Sequence, residues 1–265
     1  MKNKKTTLGC LLVTCLLVGC GHSFQSKWPT EIAKQLESSI GYDIPYIEAS
    51  DYTSYVTNDD FGDPMMVIQC IYELQSDSEN AIVEYANICQ NEGYTVNFTT
   101  QRAWDPTQLS YVEYDVYYAD KVVSKTEGVE IQFLLGGNTN VERLGIFAYT
   151  YPLVDEKSWP TNLVTHFLGY DVPHYEAEGA TYHAQLELDT DNVPYVYIQI
   201  QGVTKQAEDD YKAILANKKY TIVDDSYDEG YGYYAFAKDQ SHFVQFGYTD
   251  NYGLEIFIWK IESAS

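Results

Sequence analysis

The sequence predicts an α+β protein built as two tandem homologous subdomains, each an antiparallel β-sheet with two helices packed on one face. Three observations lead there. First, the chain repeats itself: Trp28-Pro29-Thr30 returns as Trp159-Pro160-Thr161, and Gly41-Tyr42-Asp43-Ile44-Pro45 returns as Gly169-Tyr170-Asp171-Val172-Pro173. Second, each copy holds two segments whose apolar residues recur at helical spacing. Third, the remaining segments alternate apolar and polar residues between turns rich in Asp, Asn, Gly and Pro, as hairpins require.

The repeat continues in order through Pro64 with Ile68-Gln69 and Pro194 with Ile198-Gln199. Tyr85, Ile88 and Tyr94-Thr95 then match Tyr211, Ile214 and Tyr220-Thr221. Gln132-Phe133 matches Gln245-Phe246, and Gly145 is set against Gly253. A tandem duplication follows. Its first copy covers residues 28–152 and its second residues 159–265, with 153–158 as a linker.

Each copy opens with a short helix. Thr30 or Thr161 is its expected N-cap and Gly41 or Gly169 its stop, and Ile32, Leu36 and Ile40 share one face in the first copy. Two strands follow, near 52–57 and 66–73, matched by 182–188 and 195–202. A second helix carries the stripe Ile82, Tyr85, Ala86, Cys89, and in the other copy Ala207, Tyr211, Ile214, Leu215. Four strands close each copy: 95–100, 113–122, 129–135 and 145–151, then 221–224, 231–237, 243–248 and 253–260. Strands and helices that segregate in this way indicate helices set against an antiparallel sheet.

Acidic residues outnumber basic ones 39 to 16, for a net charge of −23. Such a chain repels phosphate backbones, so nucleic acid is excluded as a partner. The first nineteen residues read as an export signal: a basic start through Lys5, an apolar run from Leu8 to Val18, and then Leu17-Val18-Gly19-Cys20. The apolar run is too short to span a hydrocarbon core of about 30 Å as a helix. Its last four residues resemble the lipobox of bacterial prolipoproteins. That resemblance implies cleavage before Cys20, acylation of the Cys20 sulfur, and a short tether over 20–27. Loss of Lys2, Lys4 and Lys5 with the leader would take the charge to −26. Each buried methylene of an acyl chain contributes about 0.8 kcal/mol, so two or three chains anchor durably. An ordinary cleaved signal with Cys20 incidental is the alternative.

The lipobox, the tether and the repeated Trp-Pro … Gly-Tyr-Asp-(Ile/Val)-Pro unit with its Tyr-rich strands resemble uncharacterised tandem-repeat lipoproteins of low-GC Gram-positive bacteria. The resemblance covers nearly the whole chain as layout, and its one specific motif is Leu17–Cys20. It implies a lipid-anchored protein on the extracytoplasmic side of the cell membrane and supplies no catalytic residues. A looser likeness is to the tandem α+β architecture of secreted β-lactamase-inhibitory proteins, which concerns fold alone.

Candidate chemistry is sparse. The clusters Asn58-Asp59-Asp60-Phe61-Gly62-Asp63 and Asp189-Thr190-Asp191-Asn192 occupy the same hairpin in the two copies. Carboxylates so spaced suit a hard cation, yet neither cluster follows the EF-hand pattern, and hairpin turns are the simpler reading. No metal and no cofactor is therefore expected. His166, His174, His183 and His242 all fall in the second copy, without the spacing zinc chemistry uses, and their first-copy counterparts are not histidines. No Gly-x-Ser-x-Gly, Ser-x-x-Lys or phosphate-binding glycine loop occurs, so no catalytic residue is assigned and no enzyme activity is expected.

Cys70 and Cys89 are the two cysteines left in the mature chain. They lie on a strand and a helix that should face each other, and their repeat counterparts are Ile200 and Leu215. A disulfide would close a loop of about 20 residues and contribute ~3 kcal/mol if unstrained. Two free core thiols are the alternative, and the one the second copy favours. Finally, Phe147, Tyr149 and Tyr151, with Phe257 and Trp259, alternate with aliphatic residues and define an aromatic sheet face. That face either binds a sugar or a protein or is covered by packing. The combined expectation is a membrane-anchored, non-catalytic module that binds an envelope protein or ligand. The rivals are an envelope hydrolase using acidic residues, and an inhibitor or chaperone acting through the aromatic face.

Overall fold

A computed structural model describes residues 26–30, 44–59, 61–72, 75–105, 110–138, 141–224 and 232–261. The leader, Cys20 and most of the first expected helix lie outside the described residues. The chain divides into two compact units after Tyr151. Each is mostly β, and the described residues contain twelve strands and three helices.

In the first unit the order is β1 (Asp51–Asn58), β2 (Pro64–Tyr72), α1 (Gln75–Asn91), β3 (Thr95–Asp105), β4 (Ser110–Val122), β5 (Glu127–Asn138) and β6 (Val141–Pro152). The second unit has α2 (Thr161–Leu168), β7 (Thr181–Leu188), β8 (Pro194–Gln201) and α3 (Gln206–Asn217). It ends with β9 (Thr221–Asp224), β10 (Tyr233–Phe236), β11 (His242–Thr249) and β12 (Gly253–Lys260). Each unit forms one six-stranded antiparallel sheet, ordered β1-β2-β6-β5-β4-β3 and β7-β8-β12-β11-β10-β9. The two orders are the same path traced twice.

Register makes the duplication concrete and corrects one pairing. Gln69 sits opposite Gly145 on β6, whereas its repeat partner Gln199 sits opposite Glu255 on β12. Gly145 therefore corresponds to Glu255, two residues beyond Gly253. The shift is even, so every residue keeps its side of the sheet, and Phe147 corresponds to Phe257 and Tyr149 to Trp259.

The cores repeat ring by ring. Tyr85 meets Phe133 edge-on at 5.0 Å, and Tyr117 stacks on Phe133 at 5.2 Å. In the second unit Tyr211 meets Phe246 edge-on at 5.1 Å, and Tyr233 stacks on Phe246 at 5.4 Å. Edge-to-face and offset stacking are the arrangements that ring quadrupoles favour. Around each trio lies one apolar cluster. In the first unit Ala81, Ile82, Tyr85 and Cys89 of α1 join Met66, Ile68 and Cys70 of β2 and Ile131 and Phe133 of β5. In the second unit, Leu163 and Val164 of α2 and Tyr211 and Leu215 of α3 join Ile198, Ile200 and Ile256.

A second repeated device pins the chain entering each sheet. The Tyr52 hydroxyl donates to the Ile47 carbonyl and accepts from the Ala49 N–H, and Tyr182 does the same with Tyr175 and Ala177. The helix opening the second unit differs in detail from expectation. Its N-cap is Pro160 and carries no side-chain cap, so Thr161 lies inside the helix; Gly169 does stop it, at φ 84°. The segment read as a linker belongs with the second unit, since Val154 packs on its core and Glu156 accepts the Tyr182 N–H.

The strands of the first unit run longer than the alternation suggests. Beyond Thr100, β3 and β4 continue as a ribbon to Asp105 opposite Ser110. Polar cross-strand pairs hold it, with Thr100 donating to Asp115 at 2.7 Å and Arg102 3.4 Å from Glu113. A ribbon held by such pairs shows no apolar alternation to read.

Candidate functional site

The expected aromatic face does not survive as a single exposed surface in either unit. Phe147 is 0% and Tyr149 7% exposed, within a cluster of Met65, Val67, Val116 and Leu134. The Tyr151 ring presses so closely on Gly128 that a Cβ there would overlap it. Phe147 and Tyr149 are therefore packing elements, and Tyr151 is half-buried. In the second unit Phe257 and Trp259 are half-buried in a ladder of rings. Tyr195 lies 5.1 Å from Trp259, Trp259 4.9 Å from Phe243 at an interplanar angle of 7°, and Phe243 5.7 Å from Phe236. Those spacings match the distance between strands, and the residues are direct cross-strand partners. The rings stand like books on a shelf, and Trp259 and Phe243 have a ring on either side. A sugar ring needs a flat, open face, which these inner rings do not offer.

Cys70 and Cys89 are free, buried thiols in the same core cluster. Burial pushes the Cys89 thiol up to about 12 and the Cys70 thiol higher still, so neither forms a reactive thiolate. The Asp-rich hairpins use their carboxylates internally. Asp59 Oδ1 accepts from the Phe61 and Asp63 N–H groups, and Asp189 Oδ1 from those of Asp191 and Val193, all within 2.9 Å. Among the described residues no group of three or more His, Cys, Asp or Glu is placed to hold a metal ion. Two buried carboxylates are likewise satisfied by neighbours. Glu130 accepts from the Tyr149 hydroxyl and from Gln132, and Glu255 from the Tyr197 hydroxyl at 2.7 Å.

The arrangement with chemical potential lies where the two copies differ. An open depression of about 490 Å³ in the second unit is lined by Tyr170, Tyr220, Ala237, Lys238, Asp239, Ser241 and His242. Tyr170 follows the Gly169 stop of α2. Tyr220 follows α3, where its N–H bonds back to Leu215, and His242 opens β11. The His242 ring, 4% exposed, is held at both nitrogens: Nε2 lies 2.7 Å from the Tyr220 hydroxyl and Nδ1 3.0 Å from the hydroxyls of Tyr170 and Ser241.

Counting protons assigns the donors. Ser241 spends its hydroxyl proton on Asp239 Oδ1 at 2.7 Å, so its oxygen can only accept from His242. The tautomer that satisfies all three contacts carries its proton on Nδ1, with Nε2 accepting from the Tyr220 hydroxyl. Burial holds the imidazole below its ordinary range and pushes the Tyr220 phenol up to about 12, so both are neutral at pH 7. Hydrogen bonds from Ser241 hold the exposed Asp239 carboxyl below its usual range. In a hydrolytic triad the carboxylate orients the histidine. Here it holds the serine and is a weak base, while the far side of the histidine meets a phenol. The set is a fixed array of donors and acceptors with no activated nucleophile.

The sequence did contain a signal for this site. By register, Lys121 faces Val129 across β4 and β5, and Ala237 with His242 takes the corresponding place. A core valine replaced by histidine in one copy, beside a lysine replaced by alanine, marks a position that has left common packing duty. No described helix is long and apolar enough to cross a membrane. No protein-family model, curated protein or solved structure matches this chain.

Proposed function

We propose that the chain is a membrane-anchored, extracytoplasmic, non-catalytic binding module that takes a small ligand in the Tyr170–Tyr220–His242 depression. The leader and its Leu17–Cys20 lipobox support the anchor. In this reading the helices of each half cover one face of its sheet, and the tether of 20–27 keeps the first unit near the bilayer.

The observation that carries the binding role is the difference at one place in the repeat. In the first half Lys121 lies over the Tyr94 ring at 5.0 Å and donates to the Glu92 carbonyl at 2.7 Å. In the second half Ala237 leaves the corner open over neutral, pre-oriented polar groups. A few convergent polar groups in a concavity are what small-molecule sites share. The hydrolase alternative lacks support, because the buried carboxylates serve neighbouring tyrosines.

Two measurements test the reading. Growth with a labelled fatty acid should mark the wild type and leave Cys20→Ala unmarked; equal labelling rejects the anchor. Adding a deproteinised envelope extract should shift the nuclear resonances of His242 and Tyr170. An extract that leaves both unmoved rejects the binding role.

A further inference from the structure

We infer that the ligand of this depression is a neutral, polyhydroxylated ring, a sugar or sugar-like polyol held through vicinal hydroxyls. The inference rests on reading the depression as a ligand site and adds the chemical class. It follows from what the proton count leaves unused. Tyr220 donates to His242, so its oxygen keeps lone pairs and can only accept. Tyr170 shares the Nδ1 proton as an acceptor, so its own hydroxyl proton is available to donate. Asp239 accepts from the Ser241 N–H and hydroxyl at Oδ1, and as an exposed carboxylate it keeps lone pairs for a further donor. The site thus presents one donor and two acceptors from three side chains lining a single depression. A hydroxyl is the group that both donates and accepts, and adjacent hydroxyls on one ring would satisfy such a set.

Charge points the same way. An anionic ligand would meet Asp239 and the field of a chain carrying −23. Lys238 lies beside Asp239 in the lining, so the depression's own formal charges cancel and offer a cation no net charge. The volume of about 490 Å³ lies in the range of small-molecule sites. Tyr170 is 38% exposed and, unlike the inner rings of the ladder, is not spent on stacked neighbours. It offers the ring surface on which the C–H face of a sugar can rest.

The test is a titration of the full chain with methyl hexopyranosides, N-acetylglucosamine and its short oligomers, and myo-inositol. Glucuronate and glucosamine serve as charged analogues, and the His242 and Tyr170 resonances are followed. Saturable shifts with the neutral probes are expected. Tyr170→Phe, which removes the hydroxyl that donates to the ligand and accepts from His242, should weaken binding by about fivefold, the usual worth of one hydrogen bond. Ala237→Lys, which installs the lysine of the first half, should abolish binding while the melting temperature stays near wild type. Stronger response to oligomers than to monomers would identify a glycan chain as the source, and the reverse a free sugar. Saturation that survives Ala237→Lys overturns the site. Glucuronate or glucosamine binding more tightly than the neutral panel, with loss in Ala237→Lys, keeps the site and overturns the class. Shifts with envelope extract but with no sugar or polyol also overturn the class alone.

Discussion

Lys121 and Ala237 occupy the same place in two copies of one sheet, and their difference decides whether a lysine lies over the tyrosine at that corner. In the first half the lysine stem covers Tyr94, which is buried, and the neighbouring strand offers the apolar Val129. In the second half the methyl of Ala237 cannot reach across. Tyr220 is left half-exposed, and the valine position holds His242 between two phenols. The framework around the two corners is otherwise held in common: Tyr85, Phe133 and Tyr117 against Tyr211, Phe246 and Tyr233. A duplicated fold can thus keep its ring-packed centre and differentiate through a single cross-strand pair at the end of a hairpin. The centre resists change because it is close-packed; the corner tolerates it because one side faces solvent.

That contrast can be broken at its shared centre first. Phe133→Ala and Phe246→Ala each remove a fully buried ring from the equivalent trio, and each should cost about 3–5 kcal/mol by chemical denaturation. A cost several-fold smaller in one half would mean that the centres are not equivalent. The buried hydroxyl of Tyr211 comes next, since it lacks a hydrogen-bond partner among the described residues. Replacing Tyr211 by Phe removes a desolvated polar group and should raise stability by about 1 kcal/mol; a loss of that size would show that the hydroxyl is satisfied.

The smallest effect probes the corner itself. The folded-state pKa of His242 lies below its unfolded value because burial disfavours the imidazolium. The unfolded chain therefore binds the extra proton first as pH falls below about 6.5. Stability of the second half is intact above that pH and declines through the interval down to the folded pKa. Amide exchange in β11 should quicken over that interval relative to β5 and lose the dependence in His242→Val. An unchanged pH profile in that variant would assign the effect elsewhere.

The repeat, the strand sequence and the helix stripes were legible because each rests on a local period or a reused motif. Gly169 ends its helix as its φ of 84° requires, and the Ile and Tyr stripes of α1 and α3 enter the cores. The ribbon beyond Thr100 was not legible, because its polar cross-strand pairs carry no apolar period. Nor was the fate of the aromatic residues. Alternation tells which side of a sheet Phe147 or Trp259 takes, but not whether that side is covered or its rings stack on one another. The site was hidden for a further reason. Tyr170, Tyr220 and His242 come from a helix end, a loop and a strand start up to 72 residues apart, and only the sheet order brings them together.

The sheet order has one more consequence, for assembly. In each half, every strand pairs with a neighbour in sequence except along a single seam, where β2 meets β6 and β8 meets β12. Across the first seam Ile68 faces Ile146, 78 residues on; across the second Ile198 faces Ile256, 58 residues on. Hairpin and meander can each zip locally, so the long-range closure entropy is concentrated in that seam. Closure cost grows only with the logarithm of length, and the longer first half is disfavoured by just ~0.3 kcal/mol. Lengthening the β3–β4 ribbon was therefore nearly free for zipping the seam, which is where such a duplicated sheet has room to grow.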